Sequence, residues 1–189
     1  MAVERLTLVL VAAGCVGDDY NYRYCANRSV VINEVLAAAV SDHLGHDFVE
    51  IFNGSDDAVL LEDWALSRRE NQAEYVIPAS YVDTNGKERT PTVLPGQWLA
   101  IAALPYIPAD GSLATGFDLN RDGDGLWLYA DNSALCDAVA YPDQHAGFSW
   151  GRPFPDGRQP DGTDEWCVLQ DMTEGQANGA CLDPDGGLP

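Results

Sequence analysis

The richest run of potential metal ligands in the sequence is DLNRDGDG, residues 118–125. It places a carboxylate or amide oxygen at every second position, and calcium ions in proteins take oxygen ligands of these kinds. The four side chains are those of Asp118, Asn120, Asp122 and Asp124. An EF-hand loop begins in this way, but its twelfth position needs a chelating Glu and here holds Tyr129.

The same stretch also has the features of a tight turn between two strands. The Asp-Gly pairs at 122–123 and 124–125 suit backbone positions with positive φ angles. Strands rather than helices are predicted on both sides, in GFDL and LWLYA. We interpret the stretch as a turn and keep a weak calcium site as the alternative hypothesis. No other cofactor is predicted.

A second stretch with catalytic residue types is GFSWG, residues 147–151, which fits the G-x-S-x-G pattern of α/β-hydrolases. In those enzymes the serine lies between a strand and a helix, and a histidine follows it in the chain. Here Pro153 and Pro155 would break a helix after Ser149, and His145 is the last histidine. We therefore assign Ser149 to a strand and predict no enzyme; a secreted hydrolase is the alternative that these residues do not support.

Two further groups could do chemistry. His43 and His46, flanked by acidic residues in DHLGHD, have a spacing that zinc tolerates but that does not identify a zinc site. Glu34 and Glu50 come from two neighbouring predicted strands and resemble a carboxylate pair for acid–base catalysis. Both lie among alternating apolar residues, so we interpret them as structural, and the histidines as solvated.

The five tryptophans fall in predicted strands or at their ends, where large apolar rings fill a core. A sugar-binding platform made of exposed rings is the alternative. The tryptophans are Trp64, Trp98, Trp127, Trp150 and Trp166.

The overall charge excludes one class of partner. The 189 residues carry 30 acidic and 10 basic side chains, for a formal net charge of -20. A surface that acidic repels phosphate backbones, so nucleic acid is not expected to bind.

The N-terminus has the pattern of a secretory signal, with an apolar run over 6–13 that is too short to span a bilayer. The run ends at Gly14-Cys15 and resembles a bacterial lipoprotein signal, in which the cysteine is lipidated and becomes the mature N-terminus. The usual leucine is replaced by Ala12, and an ordinary cleaved signal or a buried strand is the alternative interpretation. The resemblance implies a lipid-anchored protein of the bacterial cell envelope, and Val16 after the cysteine favours the outer membrane.

The cysteine count fits this interpretation. An odd number in a secreted protein needs an explanation, and lipidation of Cys15 leaves four that can pair in an oxidising compartment. Three pairings of these four are open, and we favour Cys136–Cys167 with Cys25–Cys181, because the second would tie together the two ends of the folded unit.

The rest of the chain is a series of short strands with turn signals every 8–12 residues, the spacing of a β-sandwich. Asn85-Gly86 is a strong hairpin signal, and Pro95-Gly96 marks a turn before a buried strand. The one helix candidate is VLAAAVSDH, residues 35–43.

Seven pieces of the chain follow one another in the order typical of the lamin tail domain. They are VVINEV, DFVEIFN, VLLEDWALS, LPGQWLAI, GFDLNRDGDGLWLYA, DAVAY, and SWGRPFPDG followed by W and MTEGQAN. The chain resembles this family over residues 28–178, although the family's Thr-Pro-Gly ending reads Thr173-Glu174-Gly175 here. The resemblance implies an all-β, immunoglobulin-like sandwich without enzymatic activity.

These observations predict a signal peptide over 1–14, a tether over 15–27, a lamin tail-like domain over 28–178 and a flexible tail over 179–189. The expected function is a non-catalytic, lipid-anchored module that binds or scaffolds a protein or another component of the envelope. Recognition would use a strand edge or loops of the rigid sandwich. A calcium-dependent binding module is the first alternative, and a secreted hydrolase the second.

Overall fold

The structure, a computed structural model, describes residues 24–25, 28–40, 45–131, 133–153, 166–169 and 171–182. The predicted signal peptide, Cys15 and the tether up to residue 23 lie outside the described residues. So do His43 and residues 183–189.

The described part of the chain forms thirteen β-strands, most of them short, as the frequent turn signals predict. Their bounds are β1 Val30–Leu36, β2 Asp47–Asn53, β3 Val59–Leu60, β4 Ala65–Ser67, β5 Tyr75–Val76, β6 Tyr81–Val82, β7 Glu88–Arg89, β8 Thr92–Val93, β9 Trp98–Ala103, β10 Asp124–Tyr129, β11 Leu135–Tyr141, β12 Trp150–Gly151 and β13 Cys167–Val168. None of the described residues forms a helix with the length and hydropathy of a membrane span.

Two antiparallel sheets pack around one hydrophobic core. The first has the strand order β13-β12-β1-β2-β9 and the second β11-β10-β4-β5. Apolar side chains of both sheets meet in this core, among them Ile32 and Ile51 from the first sheet and Leu66, Leu126 and Leu128 from the second. The predicted all-β, immunoglobulin-like sandwich is confirmed.

The central strands β1 and β2 are buried over almost their whole length, so both of their faces are covered. Ile32 and Ile51 point into the core from one face, whereas Glu34 and Glu50 are not part of the hydrophobic core cluster. A register irregularity between Ile32 and Glu34 places a β-bulge at Asn33. The bulge is the point at which polar groups converge on this sheet.

The strongest turn predictions are confirmed. β6 and β7 pair as a hairpin around Asn85-Gly86, and Gly86 has a φ of 73°. Gly96, with a φ of 68°, turns the chain just before β9. Both positions require the left-handed conformation that glycine adopts without steric cost.

The helix predicted over residues 35–43 is wrong where the structure describes it. Val35 and Leu36 end β1 and pair with Val49 and Phe48 of β2. After Leu36, the Ala37 amide donates to the side-chain oxygen of Gln144 at 2.7 Å, so a side chain takes the place of a neighbouring strand. Apolar residues are buried on both faces here, and that composition suits a central strand as well as a helix.

The favoured disulfide pairing is also wrong. The structure pairs Cys25 with Cys136 and Cys167 with Cys181, across 111 and 14 residues of sequence. Cys25 lies in the predicted tether yet is buried, as is Tyr24, and contributes to the sandwich core. At the other end, the Leu182 amide donates to the Val168 carbonyl at 2.8 Å, which holds Cys181 beside β13.

Candidate functional site

The DLNRDGDG stretch is a hydrogen-bonded turn that leads into β10. The Asn120 side chain donates to the Gly123 carbonyl at 3.0 Å and accepts from the Asp122 amide at 3.2 Å. Gly123 has a φ of 95°, and a Cβ there would lie 2.9 Å from the Tyr141 carbonyl oxygen. The turn therefore requires glycine at this position.

Two of the three carboxylates of this stretch have partners within the protein. Asp118 Oδ1 lies 3.7 Å from Arg68 Nη1, and Asp124 accepts from the Gly125 amide at 2.8 Å. The predicted strand in GFDL is not formed, so the turn joins an irregular segment to β10. Within the described ranges, no three His, Cys, Asp or Glu side chains form a group that could hold a metal ion. The calcium hypothesis stays a prediction that this geometry does not support.

Ser149 of the GFSWG stretch is a buried framework residue, with 1% of its surface exposed. It directly precedes β12, and its carbonyl accepts from the Leu169 amide at 3.0 Å. Its hydroxyl lies near the Glu34 carboxyl and has no hydrogen-bond partner among the described residues. His145 and Ser149 line one cavity of about 120 Å³. Ser149 nevertheless does not stand after a strand on the elbow that a hydrolase requires.

The histidine stretch is only partly described. His46 Nε2 lies 3.7 Å from Glu174 Oε1, and both side chains are partly exposed. The Asp47 carboxylate accepts from the Ala39 amide at 2.8 Å. His46 and Asp47, the described part of the candidate zinc site, thus have partners within the protein. His43 lies outside the described residues.

Glu34 and Glu50 lie opposite each other on β1 and β2, and neither is exposed to solvent. The Thr173 hydroxyl lies 2.6 Å from Glu34 Oε2. Glu50 accepts from the Asn33 side chain at 2.7 Å and from the Gly175 amide at 2.6 Å. A turn close to the C-terminus is thereby bound to the two central strands.

Asn178 completes this group, which we call the carboxylate cluster: Asn33, Glu34, Glu50, Thr173 and Asn178. The Asn178 Nδ2 atom donates to the carbonyls of Asn33 and Arg152, at 3.1 and 2.8 Å. These two acceptors fix the orientation of the amide, so Asn178 Oδ1 faces Thr173 Oγ1 at 2.8 Å. Because Oδ1 can only accept, Thr173 donates its one hydroxyl proton to Asn178.

This arrangement assigns a proton to Glu34. Thr173 Oγ1 has no second proton for Glu34, so the short contact between them is satisfied when protonated Glu34 donates to Thr173. Glu50 meets two donors, Asn33 and Gly175, and such partners favour a charged carboxylate. The contacts of the two carboxyls are matched with a neutral Glu34 and a charged Glu50, while Asn33 Oδ1 has no hydrogen-bond partner among the described residues.

Burial sets the titration of the pair. It raises the pKa of Glu34 and raises that of Glu50 to about 8, and the closeness of the two carboxyls opposes the ionisation of both at once. Glu174 adds a like charge that raises the pKa of both. Because two adjacent carboxyls titrate together, these pKa values belong to the pair, which keeps one proton at neutral pH.

A second buried polar group joins the two sheets. Asp137 of β11 accepts from the Ile32 amide at 2.9 Å and lies 3.0 Å from the Arg152 guanidinium. Arg152 also donates to the Ile32 carbonyl at 3.0 Å, and its guanidinium carbon lies 4.8 Å from the Trp166 ring centroid. Burial raises the pKa of Asp137, and Arg152 opposes that rise. The ion pair thus binds both the amide and the carbonyl of Ile32, next to the β-bulge in β1.

The five tryptophans differ in burial. Trp64 is fully buried, whereas the other four are partly exposed. The Trp127 ring lies flat over Gly125, where a Cβ would overlap it. Trp98 packs against Phe52, with ring centroids 5.2 Å apart. The sugar-binding platform stays a prediction.

The largest concave surface that we describe lies at the edge of the second sheet, a groove of about 490 Å³. One wall is β5 with Pro78, and the other is the segment 107–116. Val76 and Ile107 line this groove with 49% and 59% of their surface exposed. We call it the β5 groove. It combines apolar side chains with the open edge of a sheet.

The groove had no signal in the sequence analysis. Val76 lies in an ordinary short strand, and Ile107 lies in a segment without a motif. Ala114 pairs with Ala102 of β9, which places the second wall, and this contact depends on the tertiary fold.

A family model of the lamin tail domain matches residues 25–143, more than half of the 189 residues. The match includes β1 to β11 and ends before the turn that closes the carboxylate cluster. The family is a non-enzymatic, immunoglobulin-like domain. A comparison with curated proteins gives no match.

Proposed function

The chain belongs to the lamin tail domain family, and on that basis we propose that it is a non-catalytic, lipid-anchored binding module of the bacterial cell envelope. Its binding surface would be the β5 groove. The observation that carries the proposal is the exposure of Val76 and Ile107 on the two walls of one concave surface. Exposed apolar residues in a groove at a sheet edge are typical of protein recognition.

The state of the polar side chains supports a function without catalysis. Glu34, Glu50 and Asp137 are fully or nearly fully buried and bind backbone amides and side chains of the framework. Ser149 is buried beside Glu34. A catalytic group must reach a substrate, and these groups hold strands and turns together instead.

The cysteines support the lipid anchor. Two disulfides use Cys25, Cys136, Cys167 and Cys181, so Cys15 is the one cysteine that they leave over. Disulfides persist in oxidising compartments such as the periplasm or the cell surface. Several acyl chains on one cysteine would then give a stable membrane anchor.

We expect the Cys15→Ser variant to leave the membrane fraction of expressing bacteria and appear in the soluble fraction. The native chain should carry a diacylglyceryl group on Cys15, detectable by mass spectrometry of the membrane fraction. A native chain that is cleaved elsewhere, or that has no acyl mass on Cys15, would rule out the anchor without affecting the groove.

Binding at the β5 groove can be tested in cells with a photo-crosslinking amino acid, p-benzoylphenylalanine. We expect the crosslinker at position 107 to give discrete adducts in the envelope fraction. The matched control is position 135, where Leu135 is 50% exposed at the far edge of the same sheet.

The control position should give no such adducts. Adducts of the same masses from both positions, or adducts from neither, would show that the groove is not a specific binding surface.

A further inference from the structure

We infer that the β5 groove takes an extended, cationic peptide segment of a partner protein, which pairs with β5 as an added strand. This inference rests on the proposed function and names the partner class of the same surface. Three features of the described residues carry it: the open edge of β5, the apolar lining of the groove, and the charge of the chain.

The hydrogen-bond pattern leaves one side of β5 open. The Ile77 amide donates to the Trp64 carbonyl at 2.8 Å, and the Ile77 carbonyl accepts from the Asp63 amide at 3.0 Å. Because backbone groups alternate in an antiparallel strand, the amide and carbonyl of Val76 point away from β4. No bond among the described residues engages them on that side. An incoming strand can exchange two hydrogen bonds with Val76.

The lining of the groove determines which side chains of the added strand can bind there. Val76, Pro78 and Ile107 present apolar surface to the groove. In an added strand every second side chain points the same way, so these residues would contact an apolar side chain at alternate positions. Pro78 follows the ladder closely and has no amide to donate, which limits the paired segment to a few residues.

The charge of the chain determines which residues are favoured at the remaining positions of the added strand. Beside the groove the charges cancel, since Glu74 lies 3.3 Å from Arg68 and 3.8 Å from Arg69, and Asp118 lies 3.7 Å from Arg68. The net charge of -20 over the whole chain therefore determines which peptides are attracted, and its field favours basic segments. A second copy of the chain brings the same -20 and is repelled. The favoured occupant is a partner segment in which apolar residues alternate with Lys or Arg.

The test measures binding of three labelled peptides to the full chain by fluorescence anisotropy at low salt. The first is acetyl-Lys-Val-Lys-Val-Lys-amide, the second its Glu counterpart, and the third the Lys peptide with N-methylated valines. We expect the Lys peptide to bind about tenfold or more tightly than the Glu peptide. N-methylation removes backbone donors and should weaken binding about fivefold or more.

Two variants locate the binding. Ile107→Asn, which removes the apolar contact without adding charge, and Val76→Pro, which removes the outward amide, should each weaken binding of the Lys peptide severalfold. Leu135→Asn, the corresponding change at the other edge of the sheet, should leave its affinity unchanged. Equal effects of the two Asn variants, equal affinity of the N-methylated peptide, or no binding at millimolar concentration would overturn the inference. If position 107 still crosslinks to a partner in cells, the proposed function stands and only the strand-addition inference falls.

Discussion

Replacing Arg152 with Met is expected to destabilise the protein by about 3–5 kcal/mol, because it leaves the buried Asp137 carboxylate without its counter-ion. Only 3% of the Arg152 side chain is exposed, and none of the Asp137 side chain. A second cation, Arg28, lies 3.7 Å from Asp137, but its side chain is half exposed and it replaces little of the lost interaction. Equilibrium urea unfolding measures the loss.

The matched control is Arg89→Met. Arg89 pairs with Asp83 at 2.9 Å, a distance similar to that of the buried pair, but the Arg89 side chain is 47% exposed. Exposed pairs contribute little, so this variant should unfold almost like the native chain. The double variant Arg152→Met/Asp137→Asn should recover part of the loss, because it removes the unpaired charge. Equal stability of the two single variants would show that the buried pair does not hold the sheets together.

The stability lost in the Arg152→Met variant should also depend on pH. Burial raises the pKa of Asp137, and Arg152 opposes that rise, so its removal raises the folded-state pKa further. A carboxyl with a raised pKa in the folded state stabilises the fold at low pH and loses that contribution as the pH rises. Arg152→Met should therefore lose more stability, relative to the native chain, at pH 8 than at pH 5.

The second large effect is a contrast between two isosteric variants in the carboxylate cluster. Glu34→Gln reproduces the neutral carboxyl, since its amide can donate to Thr173 Oγ1 as protonated Glu34 does. Glu50→Gln must instead turn an NH₂ group toward Asn33 or Gly175, both of which are donors. We expect the first to keep or raise stability at neutral pH, and the second to cost about 1–3 kcal/mol.

The proton held by the Glu34–Glu50 pair should make the free energy of unfolding depend on pH. A Glu in the unfolded chain loses its proton near pH 4.5, whereas the pair keeps one until about pH 8. Between these values the folded state binds more protons, so the free energy of unfolding falls as the pH rises, by about 1.4 kcal/mol per pH unit for one proton. Glu34→Gln should flatten this fall.

Urea unfolding of the native chain and both variants from pH 5 to pH 8.5 checks these expectations. Thr173→Val serves as a control, because it removes the hydroxyl that connects Glu34 to Asn178. If Glu34→Gln is destabilised and Glu50→Gln is not, the proton lies on Glu50 and the assignment is wrong.

The fold could be predicted to the extent that its signals are local. The turns at Asn85-Gly86 and Pro95-Gly96 follow from conformations that few residues adopt, and the strands on either side follow from alternation. The order of motifs added the arrangement of the strands, and the family match agrees with it. Short strands that are buried on both faces were the weak point, since residues 35 and 36 suited a helix equally well.

Contacts between distant segments could not be predicted. Cys25 pairs with Cys136 because Cys25 packs into the core rather than extending as a tether, and no local pattern indicates this. The Glu34–Glu50 pair was recognised from neighbouring strands, but its partners Thr173 and Asn178 lie more than a hundred residues away. The β5 groove is likewise formed by two segments that meet only after folding.

Amide hydrogen exchange at Val76 in the full chain tests most directly whether the edge of β5 is the working surface. The outward amide should exchange quickly in the free protein and at least about tenfold more slowly when the Lys-Val peptide saturates binding. The amides of β11, at the other edge of the same sheet, should not change. Unchanged exchange at Val76 with the peptide bound would contradict binding at this edge.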